Sequence, residues 1–247
     1  KEQLLDNTVI FFMTDHGIRH EALRSIALAS YHHAQTNPRA VMHGRPLDES
    51  KYDAARWIVE PFHRLFDCCQ ENDGAGAVLV VPAERAKDLP HKPVYLLAAA
   101  QGGHHRSAAP AHNAPDYASA HFKTVAKNLW AMAKMGPSDV DVVQAYENFT
   151  GGVLLSLVEH GFVEPKTANE FLVLDNLKFD AGRMPLNTSG GNLAECYMHG
   201  LEMVNEAVRQ LRGTACNQVR DPNVVAVLGG PMVTPVSSLI LGTEASL

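Results

Sequence analysis

Three short segments of the chain combine polar side chains or glycines with positions where a strand is predicted to end. The segment from Tyr146 to Thr150 lies between an apolar run and a helical pattern, and Leu228-Gly229-Gly230-Pro231 also follows an apolar run. The third segment runs from Asn187 to Gly200. Open α/β sheets place their sites at the carboxyl ends of strands, so all three segments are candidates for lining one crevice.

The first segment presents a phenol, a carboxylate and a carboxamide in succession, at Tyr146, Glu147 and Asn148. At a turn from strand to helix, such groups can point into a crevice and carry out acid–base chemistry. Alternatively, Glu147 and Asn148 could cap the next helix while Tyr146 packs in the core. The spacing alone does not decide between these two interpretations.

The segment from Asn187 to Gly200 contains the pair Gly190-Gly191, followed by Tyr197 and His199. Two glycines let the backbone approach a ligand closely, and the start of the following helix presents unpaired N–H groups. A glycine turn with a half-buried tyrosine and a solvated histidine is the structural alternative. Two titratable side chains beside the turn favour a site.

The pair Gly229-Gly230 could serve a different purpose, because its backbone N–H groups can polarise a carbonyl oxygen as an oxyanion hole does. A plain tight turn explains the same two residues equally well. A metal site is not predicted, because neither His32-His33 nor His104-His105 has the i, i+4 spacing of paired helical ligands.

Cysteines and composition exclude several classes of protein. Cys68, Cys69, Cys196 and Cys216 show no CxxC spacing, so we expect reduced, mostly structural thiols in a cytosolic enzyme. The net charge is −6 and the basic residues are scattered, which argues against nucleic-acid binding. There is no apolar run of about 20 residues, so no membrane span is expected. No signal peptide is expected either, because Lys1-Glu-Gln opens an amphipathic stretch and not an apolar one.

Apolar periodicity predicts the elements that must position these candidates. Predicted strands are Ala77–Val81, Val94–Ala100, Val140–Ala145, Cys216–Val219, Val224–Leu228 and Ser237–Leu241. Predicted helices are Glu21–Gln35, a short helix capped by Ser50 that includes Trp57, Glu84–Leu89, Tyr117–Met135, Gly151–His160 and Leu193–Leu211. Alternating strands and helices predict a layered α/β core over residues 65–247, with residues 1–64 as helices and loops draped on it.

Several motifs resemble the lipid-transfer (sterol-carrier-protein) branch of the thiolase superfamily. They include Trp57-Ile-Val-Glu-Pro-Phe through Asp73-Gly-Ala, Gly44-Arg-Pro-Leu, and Ala207-Val-Arg-Gln-Leu-Arg-Gly-Thr. The resemblance covers essentially the whole chain and implies a thiolase-like layered αβαβα fold. It also implies that residues 1–64 are the end of the loop domain and residues 65–247 the C-terminal half. The half with the nucleophilic cysteine is then not in view.

The chain departs from the thiolase pattern at the reacting positions. Thiolases carry Gly-Gly-x-x-x-x-Gly-His-Pro, whereas Tyr197 stands at the histidine here and Cys196 at the preceding glycine. Val227 occupies the position of the cysteine before Gly-Gly, and Tyr146 heads the asparagine-containing turn. Claisen chemistry requires a thiolate and its acid–base partners, so this half lacks the expected pair.

The combination of Tyr146 and Tyr197 is similar to the steroid side-chain-cleaving aldolases of the lipid-transfer-protein-like (Ltp2) group. That similarity implies retro-aldol cleavage of a β-hydroxy acyl-CoA, a steroid (sterol or bile acid) side-chain CoA thioester, into a ketosteroid and a short acyl-CoA such as propionyl-CoA. The two tyrosines become the proton-transfer pair, with the acid and the base unassigned. His199, Asn148 and Glu147 become supporting residues.

The same similarity gives the remaining roles and partners. Backbone N–H groups of Gly229 or Gly230 would hold the enolate oxygen. CoA is part of the substrate, so no separate cofactor is expected. A homodimer through the thiolase fold is expected, together with a partner carrying a DUF35-type OB domain. Two alternatives stay open: a thiolase-type acyltransferase with its cysteine on the unseen half, and a non-catalytic lipid-transfer subunit.

Overall fold

A computed structural model describes residues 12–103, 119–230 and 234–247. The helices are α1 (His20–Ala34), α2 (Glu49–Asp53), α3 (Ala83–Ala86), α4 (Phe122–Ala133), α5 (Thr150–Glu159), α6 (Ala168–Phe171), α7 (Leu174–Leu177) and α8 (Leu201–Arg212). The strands are β1 (Trp57–Val59), β2 (His63–Arg64), β3 (Tyr95–Gly102), β4 (Val142–Ala145), β5 (Val224–Gly229) and β6 (Val236–Gly242). A π-helical turn at Gly191–Glu195 precedes α8.

A mixed sheet of four strands in the order β3-β6-β5-β4 lies at the centre. Strand β6 runs antiparallel to both β3 and β5, while β4 and β5 are parallel. In the register of the sheet, Val143 lies beside Ala226, which lies opposite Ile240. The parallel pair β4 and β5 therefore ends at one edge, where the candidate segments that start at Tyr146 and at Leu228 begin.

Helices cover both faces of this sheet. Val224, Ala226 and Leu228 pack into one apolar cluster with side chains of α1, α4 and α5. The alternate residues Val225 and Val227 pack into a second cluster with Met203, Ala207 and Leu211 of α8. Successive side chains of a strand point to opposite faces, so the two clusters lie on opposite sides of the sheet. The predicted layered α/β class is confirmed.

Most predicted elements are found close to their predicted bounds, including α1, α5, β5 and β6. These elements have strong apolar periodicity and a clear end signal, such as Gly161 with a φ of 82° after α5. The first helical segment is confirmed, but its division from the core at residues 64 and 65 stays a prediction.

The prediction of a buried strand at Ala77–Val81 is wrong. This run forms no strand, and most of its side chains are exposed, with Leu79 at 80% and Val80 at 81% exposure. It borders a groove of about 980 Å³ together with β3 and α8. A run of β-branched residues favours a strand only where a neighbouring strand accepts its hydrogen bonds, and none of the described strands pairs with it.

The predicted continuous helix Leu193–Leu211 is also wrong. The π-helical turn ends at Glu195, and α8 begins only at Leu201. His199 has a φ of 54° and Gly200 a φ of 93°. Left-handed backbone at two successive residues cannot continue a right-handed helix, so the chain breaks between the two helical pieces. Tyr197 and His199 lie in that break.

Two smaller predictions are corrected. The segment Cys216–Val219 is a turn and not a strand. The short helix α2 is capped by Asp48, whose side chain accepts a hydrogen bond from the Lys51 N–H, and not by Ser50. It ends at Asp53, and Trp57 belongs to β1.

His104 and His105 lie outside the described residues. Within the described ranges, no helix is both long and apolar enough to cross a membrane.

Candidate active site

Tyr146 continues the line of β4 beyond the last residue of that strand. Its backbone N–H donates to the carbonyl oxygen of Leu228 on β5 at 2.9 Å, so the parallel pairing extends by one more residue. The side chain is 5% exposed and packs into the cluster beneath α8, with Met203 and Val227. The strand thus fixes the tyrosine at the carboxyl edge of the sheet, as the sequence predicts.

Tyr197 reaches the same place from the break before α8. Its backbone N–H donates to the side-chain oxygen of Asn72 at 2.8 Å, which anchors the break to the segment after β2. Its side chain is partly exposed, in contrast to that of Tyr146. One phenol of the pair is therefore buried and the other is reachable from solvent.

The two phenolic oxygens of Tyr146 and Tyr197 lie 2.5 Å apart and share a hydrogen bond, in which either oxygen can be the donor. The ring centroids are 6.0 Å apart with an interplanar angle of 46°. On the other side, the ring of His199 lies 4.6 Å from that of Tyr197. A hydrogen bond this short lets a proton pass between the two oxygens with little movement of either ring.

Burial raises the pKa of both phenols above the usual value. The shared hydrogen bond then acts oppositely on the two: it raises the pKa of Tyr146 further and partly lowers that of Tyr197. Both groups are neutral at neutral pH, and Tyr197 is the one that loses its proton more readily. An acid and a base of the same chemical type can therefore work side by side.

Glu147 faces away from the tyrosine pair. Its carboxylate is fully buried and accepts hydrogen bonds from Ser30 at 2.5 Å and from the backbone N–H of Leu193 at 3.4 Å. Burial raises the pKa of this carboxyl to about 7. A side chain at Gly191 would overlap the Glu147 carboxylate, which explains why a glycine stands there. The geometry makes Glu147 a link between the end of β4 and the π-helical turn.

Asn148 lies shortly after β4, and the glycine pair lies at the end of β5. The carbonyl oxygen of Asn148 accepts a hydrogen bond from the N–H of Cys69 at 3.1 Å. Gly229 ends β5 opposite Ser237, and Gly230 has a φ of 138° with Val236 so close that a side chain would clash. Pro231 lies outside the described residues. The oxyanion role of the glycines stays a prediction.

Sequence reasoning missed four residues near the pair: Cys69, Asn72, Asn192 and Glu202. The sequence predicts a structural thiol at Cys69, yet this residue interacts with both phenols. Burial raises the pKa of the thiol, and its hydrogen bond with Tyr197 lowers that pKa in part. The segment that carries Cys69 and Asn72 connects the turn after β4 with the break before α8. No local pattern in the sequence indicates that contact.

Metal binding has no support in the described part of the chain, where no group of three or more histidine, cysteine, aspartate or glutamate side chains could hold an ion. The large groove beside Ala77–Val81 is lined by β3, α8 and the segment between α3 and β3, and its lining does not include either tyrosine. The phenol pair is thus a separate feature of the molecule.

Two curated proteins are similar to this chain. A steroid side-chain-cleaving aldolase of Thermomonospora curvata is 40% identical over 94% of this chain and 59% of its own length. A 17-hydroxy-3-oxo-4-pregnene-20-carboxyl-CoA lyase of Mycobacterium tuberculosis is 40% identical over 88% of this chain and 56% of its own length. The chain therefore spans less than two thirds of either relative.

A solved structure of an Ltp2-ChsH2(DUF35) aldolase superposes with a TM-score of 0.92 at 38% identity, covering 100% of this chain and 64% of that one. The family model described as "Thiolase C-terminal domain-like" matches residues 102–243, which is more than half of the chain. That match includes β4, the turn with Tyr146, the break with Tyr197 and the strand before Gly229. The chain belongs to the thiolase C-terminal domain-like family.

Proposed function

We propose that the protein cleaves a β-hydroxy acyl-CoA by a retro-aldol reaction, with Tyr146 and Tyr197 as the proton-transfer pair. The observation that carries the proposal is the 2.5 Å separation of their phenolic oxygens at the carboxyl edge of the sheet. In support, relatives that are 40% identical to this chain bear the names of an aldolase and a CoA-thioester lyase.

The substrate class follows from the chemistry in the second relative's name. A hydroxyl on carbon 17 and a carboxyl-CoA on carbon 20 of a pregnene place the hydroxyl β to the thioester. We propose a steroid CoA thioester of this type for the present protein. Cleavage between the carbons that bear these groups gives a ketosteroid and propionyl-CoA.

The reaction needs one proton removed and one proton delivered. Tyr197 as phenolate takes the proton from the hydroxyl group, and the resulting alkoxide becomes a ketone as the bond to the α carbon breaks. The electron pair of that bond forms the thioester enolate, which accepts a proton from the phenol pair at the α carbon. The pair has then taken up one proton and given up one, so it returns to its original protonation state, and no oxidant or reductant is consumed.

The base is assigned to Tyr197 and the supporting phenol to Tyr146. After burial, which raises both pKa values, the shared hydrogen bond favours the charged form of Tyr197 and the neutral form of Tyr146. Tyr197 is also the partly exposed member of the pair, so a substrate can reach it. Tyr146 stabilises the phenolate by donating its O–H to it.

We assign a backbone N–H of Gly229 or Gly230 as the hydrogen-bond donor to the enolate oxygen. These residues follow Leu228, whose carbonyl oxygen accepts the N–H of Tyr146, so they leave the sheet beside the pair. Preorganised N–H donors stabilise an oxyanion in a site that excludes water. His199 contributes through its ring, which covers one side of Tyr197.

The assembly is also part of the proposal. We infer a homodimer through the thiolase fold and a partner protein with a DUF35-type OB domain. Support for the partner comes from the solved aldolase whose name joins Ltp2 to a DUF35 protein. The free thiols of Cys68, Cys69, Cys196 and Cys216 are compatible with the cytosolic setting expected from the sequence.

The test replaces one hydroxyl in the full-length protein, assayed with and without an OB-domain partner. Tyr197→Phe should lower formation of ketone and short acyl-CoA by at least about a hundredfold, because general acid–base catalysis contributes that much or more. Tyr95→Phe on β3 is the control, since it removes a phenol from a different part of the sheet. Near-parent turnover of Tyr197→Phe rejects the mechanism.

Two further outcomes separate the alternatives. A stable acyl-cysteine found by mass spectrometry after incubation with acyl-CoA would support an acyltransferase with its cysteine elsewhere in the protein. Tight binding of a steroid CoA thioester without any turnover, even with the partner present, would support a lipid-transfer subunit. The retro-aldol proposal requires ketone formation and no stable acyl-enzyme.

A further inference from the structure

A buried carboxylate accepts hydrogen bonds from the break that carries Tyr197. Glu202, in the first turn of α8, is 1% exposed. It accepts the backbone N–H of Met198 at 3.2 Å and that of Gly200, also at 3.2 Å. These two N–H groups belong to the residues before and after His199, and Met198 directly follows Tyr197. One side chain thereby fixes the backbone on both sides of His199.

The same carboxylate is connected to the other tyrosine through Asn192. The side-chain amide of Asn192 donates to Glu202, and its oxygen accepts the backbone N–H of Glu147 at 2.7 Å. Glu147 directly follows Tyr146, and Asn192 is fully buried. A continuous chain of hydrogen bonds therefore runs from the backbone beside Tyr146, through Asn192 and Glu202, to the backbone beside Tyr197.

We propose that Glu202, acting through Asn192, is the positioning residue that holds Tyr197 against Tyr146 for the retro-aldol reaction. This inference rests on the proposed function for its effect on turnover. Neither side chain touches the phenolic oxygens, so their part is to set the distance between two residues on different elements. Removing one partner leaves a buried donor or acceptor unpaired, and the break can then move.

Because Glu202 can carry a charge, its replacement should change the pKa of the phenols, which a change in packing alone would not explain. Burial is the main reason for the raised pKa of both phenols, and the nearby Glu202 carboxylate adds to it. Other titratable groups around this cluster are Cys69 beside both phenols and His199, whose ring lies 4.6 Å from that of Tyr197. Glu195 and Cys196 interact with Glu202 itself. Replacing the carboxylate by an amide should therefore lower the pKa of the phenols while these neighbours stay in place.

A matched control lies one turn further along α8. Glu206 is as buried as Glu202 and accepts hydrogen bonds from Thr188 at 2.9 Å and from Gln210 at 3.3 Å. It also forms an ion pair with Arg209 at 3.6 Å. Glu206→Gln removes one buried carboxylate from the same helix without changing the chain of hydrogen bonds between the tyrosines.

The experiment compares Glu202→Gln, Glu206→Gln and Tyr197→Phe in the full-length protein with its partner. We expect Glu202→Gln to lower kcat on the order of ten- to a hundredfold with little change in KM, because small misplacements of reacting groups have effects of this size. In the pH–rate profile of Glu202→Gln, the rise should also occur at a lower pH than in the parent. Glu206→Gln should keep the parent kcat and pH profile.

A readout independent of activity completes the test. Phenolate absorbance in the near ultraviolet, taken as the difference from the Tyr197→Phe variant, should appear at lower pH in Glu202→Gln than in the parent. Parent-like kcat and parent-like phenolate titration in a folded Glu202→Gln variant would overturn the positioning role alone. Normal turnover of Tyr197→Phe would instead reject the proposed function, while the titration still tests the contact between Glu202 and the pair.

The pairing of Asn192 with Glu202 can be checked by a double variant. If both act through one chain of hydrogen bonds, Asn192→Ala combined with Glu202→Gln should lower kcat little more than the stronger single variant does. If the double variant instead lowers kcat by the product of the two single effects, the residues act separately. That result would overturn the proposed route through Asn192.

Discussion

Gly200 lies directly under the ring of Tyr146. A methyl group added at Gly200 would sit 3.3 Å from the Cδ2 atom of that ring, and the backbone of Gly200 has a φ of 93°. The residue just before α8 therefore packs on the tyrosine at the end of β4. Since Tyr197 lies only three positions before Gly200, this contact also sets how closely the second tyrosine approaches the first.

Gly200→Ala should lower both stability and turnover. The left-handed backbone costs a residue other than glycine about 1–3 kcal/mol, and the added methyl group must also displace the Tyr146 ring. Gly213→Ala is the matched control, because Gly213 has a φ of 74° at the other end of α8 and open space around it. The thermal unfolding temperature should be lower in both variants, whereas kcat should be lower only in Gly200→Ala. Equal kcat in the two would contradict the importance of the contact.

The rate should increase with pH across the neutral and mildly alkaline range. The phenolate of Tyr197 is the reactive form, and burial raises the pKa of this group above 10.0, so its population grows with every step in pH below that value. Profiles of kcat/KM between pH 6.5 and pH 10 would show the rise. In Tyr146→Phe the residual rise should move to higher pH, because the hydrogen bond that lowers the pKa of Tyr197 is gone. A profile that is flat or decreasing would argue against a phenolate base.

Glu147 should make the folded state less stable as the pH rises. Its pKa is about 7 in the folded protein against 4.5 in the unfolded chain, because burial disfavours the charge. The folded state therefore holds a proton that the unfolded chain has lost, and stability decreases as the pH rises from about 4.5 to about 7, by up to about 3 kcal/mol. Urea midpoints of Glu147→Gln should depend less on pH over this window. Glu164→Gln, at an exposed carboxyl, is the control for the change in net charge.

His33 should act in the opposite direction at acidic pH. Burial lowers its pKa to about 4 from 6.5. Its Nε2 atom accepts the N–H of Phe179 at 3.1 Å, and its Nδ1 atom lies 3.1 Å from the carbonyl oxygen of Asn187, so the ring must be neutral. The unfolded chain takes up a proton first, and stability is lost as the pH falls from about 6.5 to about 4.

The adjacent His32 offers a control for this prediction, because its side chain is exposed. Acid unfolding followed by circular dichroism should begin at lower pH in His33→Gln than expected from its stability at pH 7. His32→Gln should change the acid transition far less, because the charge of His32 adds only a smaller effect to the burial that lowers the pKa of His33. Identical acid transitions in the parent and in His33→Gln would assign the acid sensitivity to other groups.

The sequence by itself determined the layered α/β class and most of the elements. Strong apolar periodicity defined α1 and α5, and continuous apolar runs defined β5 and β6 within one or two residues. It also placed Tyr146 and Tyr197 among the positions where the chain departs from the thiolase pattern. These properties depend on a residue and its near neighbours, which a single sequence contains in full.

The tertiary structure decided what depends on distant partners. Ala77–Val81 has the composition of a buried strand, but a strand needs a neighbour, and among the described strands it has none. The helical pattern of Leu193–Leu211 does not reveal the left-handed backbone at His199 and Gly200 that produces the break. Tyr146 and Tyr197 are 51 residues apart in the chain, and only packing brings their oxygens to 2.5 Å.

The supporting residues were hidden for the same physical reason. Asn192 and Glu202 are ordinary polar residues in a helical pattern, and nothing in their spacing indicates that they connect two tyrosines. A buried polar group is stabilised only by a partner that the fold supplies. The sequence therefore determines which chemical groups are present, and the tertiary structure determines which of them meet.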